Sequence, residues 1–313
     1  MTIAFTFPGQ GSQSAGMGKD LAQAFPQARQ VFEEVDEALG EKLSTLIFEG
    51  PDDKLILTAN AQPALMAVSL AAMRALESRG FLLKDKVAYV AGHSLGEYSA
   101  LAAAGFVSVG DAARLLRIRG NAMQAAVAPG EGAMAAIIGL AQQDVESACL
   151  EAVQGEEVCQ IANDNGGGQL VISGSKAAIE RAAALCTEKG AKRALMLQVS
   201  APFHSALMAP AAEIMREALA DVQRHVPSVP VVSNVSVEPT SDPDLIAQRL
   251  VEQVTGQVRW RETVEWFGAN GITSLYEIGA GKVLCGLARR INRDIAVSSI
   301  GTPADVDAAL AAL

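Results

Sequence analysis

Hydrophobic and polar positions along the chain follow a pattern that predicts an α/β protein. Short β-rich runs, such as 2–7 (TIAFTF) and Lys86–Val90, alternate with helical segments such as 27–39 and Leu95–Ala104. Gly-rich loops follow both strands, which favours a site at the carboxyl edge of the sheet. Strands that alternate with helices form parallel sheets covered on both faces, so we expect a large domain with a mostly parallel sheet.

Local signals predict where further elements begin and end. Pro63 is placed in the first turn of a helix that runs to about Ser78, and Asp111 caps a helix that reaches about Val127. Later in the chain the pattern predicts helices over His204–Leu219, Pro243–Val254, Trp260–Gly268 and Gly281–Ile291, strands over 230–235 and 272–279, and a last strand (AVSSIG) before an alanine-rich tail.

A change of pattern after a linker at 128–132 indicates an inserted unit. Its elements are a strand at 134–140, a helix at 142–153, strands at 158–164 and 169–174, a helix at 176–189 and a strand at 193–200. This β-α-β-β-α-β order is that of a ferredoxin-like fold. We therefore predict an inserted ferredoxin-like subdomain at 129–199 and a main domain made of 1–128 and 200–313.

Composition narrows the function classes. The 313 residues carry a formal net charge of −10, which argues against binding nucleic acid or anionic membranes. No apolar run approaches the roughly 20 residues of a membrane span, and the N-terminus does not resemble a signal peptide. The four cysteines have no CxxC spacing, which predicts reduced thiols and a cytoplasmic protein. The three histidines form no metal motif, so no metal site is expected.

One motif carries acyl chemistry. Gly92-His93-Ser94-Leu95-Gly96 fits G-x-S-x-G between a predicted strand and a predicted helix. At such a turn the serine hydroxyl is exposed above the sheet, and the helix N-terminus stabilises the negative charge that develops during acyl transfer. Ser94 is therefore the candidate nucleophile, although a serine that only caps the helix has the same local sequence.

A serine nucleophile needs a base. His93 is expected to point away from Ser94, and His225 to lie at the surface, whereas His204 follows the serine in the order of α/β-hydrolase-type enzymes. We therefore expect an α/β-hydrolase-like main domain with His204 as the base. No acidic residue stands convincingly at a strand end between the two, and the nearest, Asp164, falls in the inserted unit.

A set of motifs distributed along the whole chain resembles the malonyl-CoA:acyl-carrier-protein transacylases, the malonyl transferases of type II fatty acid synthesis. The matching segments are PGQGSQ at 8–13, QPA at 62–64, GHSLGEY at 92–98, RG at 119–120, APFHSALM at 201–208, NV at 234–235 and GKVL at 281–284.

The resemblance implies a ping-pong reaction. Ser94 would attack malonyl-CoA and hold the malonyl group as an ester, and His204 would take the serine proton and later deprotonate the phosphopantetheine thiol of acyl carrier protein. Backbone N–H groups of Gln10 and Leu95 would form the oxyanion hole, and Arg119 would pair with the malonyl carboxylate. From the residues alone, the arginines of this helix (Arg114, Arg117 and Arg119) could not be distinguished.

The resemblance also supplies supporting roles. A main-chain or amide carbonyl would orient the histidine in place of an aspartate, with Gln253 at the matching position. Gln62 would line the site beside Arg119, and His93 would flank the nucleophile. Phe203 fits a bulky residue that excludes a methyl branch, and equally a core phenylalanine. The resemblance implies no permanently bound cofactor, because malonyl-CoA is a substrate and the partner carries the phosphopantetheine.

Two other functions share these features. An esterase or thioesterase could use the same serine, and a catalytically inactive module could dock acyl carrier protein, although the Ser, His and Arg set argues against the latter. Acyl carrier proteins are acidic, so docking would need a basic patch. Candidates are Arg289, Arg290 and Arg293, or Lys189, Lys192 and Arg193. No long apolar stripe demands a dimer, so we expect a monomer.

Overall fold

The structure, a computed structural model, describes residues 2–313. Its strands are β1 (Ile3–Phe7), β2 (Tyr89–Gly92), β3 (Gly132–Ile138), β4 (Cys159–Asp164), β5 (Gln169–Ser175), β6 (Arg193–Met196), β7 (Val231–Val232), β8 (Pro239–Thr240), β9 (Ser274–Ile278) and β10 (Ala296–Ile300). They form a six-stranded sheet and a four-stranded sheet.

Helices cover both sheets. They are α1 (Lys19–Ala24), α2 (Pro26–Leu39), α3 (Leu43–Glu49), α4 (Asp52–Leu55), α5 (Thr58–Glu77), α6 (Leu83–Lys86), α7 (Leu95–Ala103), α8 (Val109–Ala125), α9 (Gln142–Ala152), α10 (Lys176–Glu188), α11 (Ala209–Ala220), α12 (Pro243–Thr255), α13 (Trp260–Ala269), α14 (Val283–Ile291) and α15 (Pro303–Ala312), with a 3₁₀ turn at Ala206–Met208. Within residues 2–313, no helix combines the length and the apolar character needed to cross a membrane.

The larger sheet is mostly parallel, as predicted. Its strand order is β10-β9-β1-β2-β7-β8, and only the short β7–β8 pair is antiparallel. Every residue of β1 is buried, which is the pattern expected for a strand covered on both faces. Phe7 pairs with Gly92, so the loops that follow β1 and β2 meet at one edge of the sheet.

The smaller sheet confirms the predicted β-α-β-β-α-β order. Its strands are antiparallel in the order β4-β5-β3-β6, and α9 and α10 pack on one face through residues that include Ala148 and Ile179. All four strands lie between Gly132 and Met196. The domain limits at 129 and 199 stay a prediction, which limited proteolysis at 128–132 and 197–200 would test.

One strand of the smaller sheet reaches the main part of the chain. Asp164 N–H donates to the Val258 carbonyl at 2.9 Å, and Val258 N–H donates to the Ala162 carbonyl at 2.8 Å. These parallel bridge contacts, beside the partly buried ion pair of Asp164 with Arg261 at 2.7 Å, hold the smaller sheet over the carboxyl edge of the larger one.

Several predicted boundaries were wrong because tertiary contacts set them. Helix α5 begins at Thr58, so Pro63 lies inside it and not in its first turn. This first turn of α5 packs closely on α8, where a Cβ at Gly120 would lie 2.6 Å from Ala59 Cα. Helix α8 is capped by Ser108, whose hydroxyl accepts from Asp111 N–H at 3.0 Å, so Asp111 lies within the first turn.

Two predicted strands and one predicted helix also differ. The strand predicted at Lys86–Val90 begins at Tyr89, where it pairs with Ala4, and Lys86 ends the one-turn helix α6. The strand predicted at 230–235 is limited to Val231–Val232, because the chain leaves the sheet where Asn234 turns to contact the site. His204 precedes the helix predicted to start there, with a φ of 56°.

Candidate active site

Ser94 stands on a sharp turn between β2 and α7. Its φ of 53° and ψ of −110° are unusual for a residue with a side chain, and such strain is typical of functional sites. The flanking glycines are required by space. A Cβ at Gly92 would lie 1.9 Å from the Gly96 carbonyl carbon, and a Cβ at Gly96 would lie 2.1 Å from the Phe7 carbonyl oxygen.

Asn234 holds this turn from the loop that follows β7. Its Oδ1 accepts from Ser94 N–H at 2.8 Å, and its Nδ2 donates to the Gly92 carbonyl at 2.6 Å. The side chain is buried, with 1% exposed. Both hydrogen bonds therefore offset the backbone strain at the nucleophile, a role that the sequence did not reveal.

His204 is in contact with the nucleophile. Ser94 Oγ lies 2.7 Å from Nε2 of His204, and Nδ1 lies 2.9 Å from the Gln253 carbonyl and 3.1 Å from the Gly256 carbonyl. Carbonyls only accept, so we assign the ring proton to Nδ1, which leaves Nε2 free to accept the Ser94 proton. Asp164, the acid weighed from the sequence, is bound to Arg261 instead.

The surroundings keep His204 neutral. Burial lowers its pKa from 6.5 to about 3; the cation of Arg119 acts in the same direction, and the carbonyls of Gln253 and Gly256 oppose it. A neutral imidazole is the form that can accept a proton, so His204 is available as a base across the neutral range.

Arg119 reaches the same hydroxyl from another direction. Its guanidinium donates to Ser94 Oγ at 3.1 Å, to Gln62 Oε1 at 2.8 Å and to Gln253 Oε1 at 2.9 Å. The side chain is 1% exposed, its Nε has no partner within residues 2–313, and the ring of Tyr98 lies 5.6 Å away. Burial lowers the pKa of this arginine, and every acceptor it holds is neutral.

The other two arginines of α8 are bound to residues outside the site. Their contacts resolve which of the three arginines belongs to the site, a question that the sequence left open. Arg114 pairs with Asp111 at 2.6 Å, while Arg117 contacts Glu41 and donates to Asn60 at 2.6 Å. Of these side chains on α8, Arg119 is the one that lines the site cavity in the described part of the chain.

These groups open onto one cavity of about 400 Å³ between the two sheets. Of the residues predicted for the site, Gln10, Gln62, His93, Ser94, Leu95, Arg119, Phe203 and His204 line it. The smaller sheet contributes the opposite wall with Met134, Ala136 and Val171. A nucleophile, a base and a cation thus converge in a space large enough for an acyl group, and this arrangement suits covalent acyl transfer.

Comparisons with known proteins agree with this geometry. A family model described as an acyl transferase domain matches residues 4–285. A protein of Bacillus subtilis is 45% identical over 99% of this chain and 97% of its own length, and one of Escherichia coli K12 is 46% identical over 98% of each. Both are named malonyl CoA-acyl carrier protein transacylase.

Solved structures give the same result. The acyl-carrier-protein-S-malonyltransferase of Bartonella henselae superposes with a TM-score of 0.98 at 63% identity, covering 100% of this chain and 99% of its own. A malonyl-transacylase in complex with its type II PKS acyl-carrier protein superposes with a TM-score of 0.96 at 43% identity, covering 100% of both chains.

The chain belongs to the malonyl CoA-acyl carrier protein transacylase family.

In this transacylase, the predicted oxyanion donors come from two different segments of the chain. Gln10 lies in the loop after β1, and Leu95 is the first residue of α7. Both line the cavity beside the nucleophile. Their placement agrees with the predicted role, and the role itself stays a prediction.

His93 and Phe203 line the transacylase cavity without touching the Ser94 hydroxyl. His93 Nε2 lies 2.9 Å from Asn165 Oδ1, its ring lies 5.8 Å from that of Trp260, and burial lowers its pKa. Phe203 lines the cavity and also packs against buried apolar side chains that include Met134, so the structure fits both interpretations of this residue.

Besides the role of Asn234, sequence reasoning missed two parts of the site. The first is the Gly256 carbonyl, which lies beside the Gln253 carbonyl at Nδ1 of His204. Gln253, the predicted orienting residue, thus contacts His204 through its main chain, whereas its side chain accepts a hydrogen bond from Arg119. The second is Glu97, which is 2% exposed and receives a hydrogen bond from Gln253 at 2.7 Å. Glu97 belongs to the matching segment GHSLGEY, which gave it no role, and it is the one acid in the run LGEYSALAA.

Proposed function

We propose that this chain transfers the malonyl group of malonyl-CoA to the phosphopantetheine thiol of acyl carrier protein through a malonyl ester on Ser94. The observation that carries the proposal is that Ser94 Oγ contacts both His204 and Arg119 in one cavity. The names of relatives that are 45–46% identical support it.

In the first half-reaction, Ser94 loses its proton to Nε2 of His204 as Oγ attacks the thioester carbonyl. The oxyanion forms beside the N–H groups of Gln10 and Leu95. It collapses when the C–S bond breaks, and the coenzyme A sulfur takes the proton from His204. The products are coenzyme A and a malonyl ester on Ser94.

The second half-reaction reverses these steps with another thiol. The phosphopantetheine thiol gives its proton to His204, and its sulfur attacks the ester carbonyl. The bond to Oγ breaks, and Ser94 recovers its proton from His204. The two thiols use the site in turn, so the kinetics are ping-pong and no bound cofactor takes part.

Arg119 explains a preference for malonyl over acetyl groups. A planar guanidinium binds a carboxylate through parallel hydrogen bonds, and its present acceptors, Gln62 and Gln253, are neutral amides that leave its charge available. An acetyl group leaves this buried cation unpaired, and leaving one member of a buried charge pair unmatched costs about 2–5 kcal/mol.

One experiment separates transfer from hydrolysis. Labelled malonyl-CoA should label the wild-type protein in a burst, and the label should leave only when acyl carrier protein is added. Steady release of free malonate would show a hydrolase instead. Failure to label the protein while carrier protein still binds would indicate a docking module.

Docking of the carrier protein is proposed at α14. Arg290 lines the mouth of the cavity, and Arg289 and Arg293 are exposed nearby. In the alternative patch on the smaller sheet, Lys189 is already paired with Glu151 at 2.9 Å. An acidic partner would therefore find its free basic surface beside the site.

We further propose that the enzyme acts as a monomer in the cytoplasm. The exposed large apolar side chains of residues 2–313 are distributed over several elements, from Ile56 to Val283. Light scattering of the purified protein tests the first statement, and cell fractionation tests the second.

A further inference from the structure

Glu97 is a buried acid that the reaction above does not use. It lies in the first turn of α7, three residues after Ser94, and 2% of it is exposed. In the described chain, neither Glu97 nor Gln253 lines the cavity, so Glu97 stands behind the site. A carboxyl in such a place is costly unless donors surround it.

Those donors come from two segments that build the site. Glu97 Oε2 accepts from Gln253 Nε2 at 2.7 Å and from Asn234 N–H at 3.3 Å. The hydroxyl of Ser233 is a further side-chain partner of the carboxyl. Glu97 thus links the end of α12 to the loop whose Asn234 holds the nucleophile turn.

The side-chain amide of Gln253 satisfies its hydrogen-bond partners in one orientation only. Its Oε1 accepts from Arg119 at 2.9 Å, and its Nε2 donates to Glu97 and to the Ser94 carbonyl, the latter at 3.0 Å. If the amide were reversed, its NH₂ would face the guanidinium donors and its oxygen would face two acceptors. Oε2 of Glu97 accepts a hydrogen bond from the Gln253 NH₂ group. Glu97 therefore favours the amide orientation in which the Gln253 oxygen faces Arg119.

Glu97 does this without pairing with the arginine. Among the ion pairs of residues 2–313, none includes Arg119. A neutral amide separates the carboxyl group of Glu97 from the guanidinium, so the guanidinium is aligned and stays open to a carboxylate that enters the cavity. A direct salt bridge would occupy the donors that a substrate needs.

We propose that Glu97 is a positioning residue for substrate selection: it fixes the orientation of the Gln253 amide and, through it, the guanidinium of Arg119. The proposal rests on the proposed function, because its readout is the preference for malonyl over acetyl groups.

The first test compares kcat/KM for acylation of Ser94 by malonyl-CoA and by acetyl-CoA. Glu97→Leu, which removes the acceptor, should lower the malonyl-to-acetyl ratio about 10-fold or more, mainly through KM for malonyl-CoA. Glu97→Gln should keep the ratio within about threefold, since its amide oxygen can still accept from Gln253 while its NH₂ faces the Ser233 hydroxyl.

A double-mutant cycle tests whether Glu97 acts on Arg119 through the side chain of Gln253. Gln253→Met keeps the main-chain carbonyl that holds His204, and if Glu97 acts through this side chain, adding Glu97→Leu should cost no more than the larger single loss. Asp36→Leu is the control. It removes another buried carboxyl, bound to Ser44 away from the site, and should lower thermal stability without changing the ratio.

Three outcomes would overturn the proposal: an unchanged ratio in Glu97→Leu, additive losses in the cycle, or a loss in Glu97→Gln as large as that caused by removing Arg119. The last remains decisive even if Glu97→Leu does not fold. Failure of the wild-type protein to take malonyl at all would refute the proposed function instead.

Discussion

Arg119 donates a hydrogen bond to Oγ of Ser94 at 3.1 Å, on an oxygen that also lies 2.7 Å from Nε2 of His204. The nucleophile thus donates to a neutral base and accepts from a buried cation. The cation stabilises the negative charge that develops on Oγ as the proton leaves. Arg119 thus contributes both to substrate selection and to activation of the nucleophile.

Replacing Ser94 removes the atom that carries the acyl group. Ser94→Ala should abolish the malonyl adduct and lower transfer by at least about 1,000-fold. The mass of the intact protein after incubation with malonyl-CoA gives the answer. Ser99→Ala, on the same helix and with a buried hydroxyl that has no partner within residues 2–313, should still form the adduct. A covalent malonyl adduct on the Ser94→Ala protein would contradict the assignment.

Removing Arg119 should remove the preference for malonyl. Arg119→Ala should weaken malonyl transfer relative to acetyl transfer by about 2–5 kcal/mol, because the substrate carboxylate then has no partner. Rates of serine acylation by the two substrates measure the ratio. Arg117→Ala, which removes surface contacts with Glu41 and Asn60, is the matched control. An unchanged ratio in Arg119→Ala would move the carboxylate site to another residue.

The pH profile should reflect the depressed pKa of His204. The neutral imidazole is the active form, and its pKa is lowered to about 3, so kcat/KM for acylation should not fall as the pH drops through 6.5. Removing Arg119, the second cause of the shift, should raise this pKa and move the acidic limb to higher pH. That comparison uses acetyl-CoA, which has no carboxylate to pair with the arginine. A limb near 6.5 in the wild-type protein would contradict the depressed pKa of His204.

The same shift has a consequence for stability. The unfolded chain binds a proton on His204 near pH 6.5, while the folded chain resists protonation down to about 3. His204 therefore contributes no penalty above 6.5 and destabilises the fold progressively as the pH falls between these values. The free energy of unfolding of His204→Gln should depend less on pH across this window than that of the wild-type protein.

Asn234 should matter for both stability and rate. Asn234→Ala leaves Ser94 N–H and the Gly92 carbonyl without their buried partner, which should cost about 1–3 kcal/mol for each group. Urea unfolding measures this cost, and burst kinetics measure the loss of acylation. Asn234→Asp keeps the acceptor but places a buried carboxylate against the Gly92 carbonyl, so it should be no more stable than Asn234→Ala. Equal stability of all three proteins would contradict this account of the nucleophile turn.

Charge reversal on α14 tests the docking surface. Arg289→Glu combined with Arg293→Glu should raise KM for acyl carrier protein about 10-fold and leave acylation of Ser94 unchanged, because both side chains lie outside the cavity lining. Lys189→Glu combined with Lys192→Glu is the matched pair on the smaller sheet. Equal effects on both half-reactions would refute docking at α14.

The sequence predicted those features that local periodicity and close packing determine. Residues 3–7 (IAFTF) are all buried in the centre of the sheet. The element order of the inserted unit could be predicted because strands and helices differ in the period of their apolar residues. The G-x-S-x-G turn could be recognised because both glycines are required by contacts closer than a Cβ permits.

Features that depend on distant contacts could not be predicted in this way. Helix α5 starts five residues before Pro63, and its first turn packs against Gly120, which is distant in the sequence. The role of Arg119 depends on Gln62 and Gln253, which are 57 and 134 positions away. Glu97 looks like one polar residue in an apolar helix until Gln253 folds against it.

The groups that orient His204 are the main-chain carbonyls of Gln253 and Gly256. A carboxylate in this position could be deleted by a single codon change, whereas every amino acid brings a carbonyl of its own. A point mutation at either position therefore leaves the carbonyl that orients His204 in the chain. The alignment of the base depends on where the last turn of α12 lies, so the changes that threaten it are those that shift this helix.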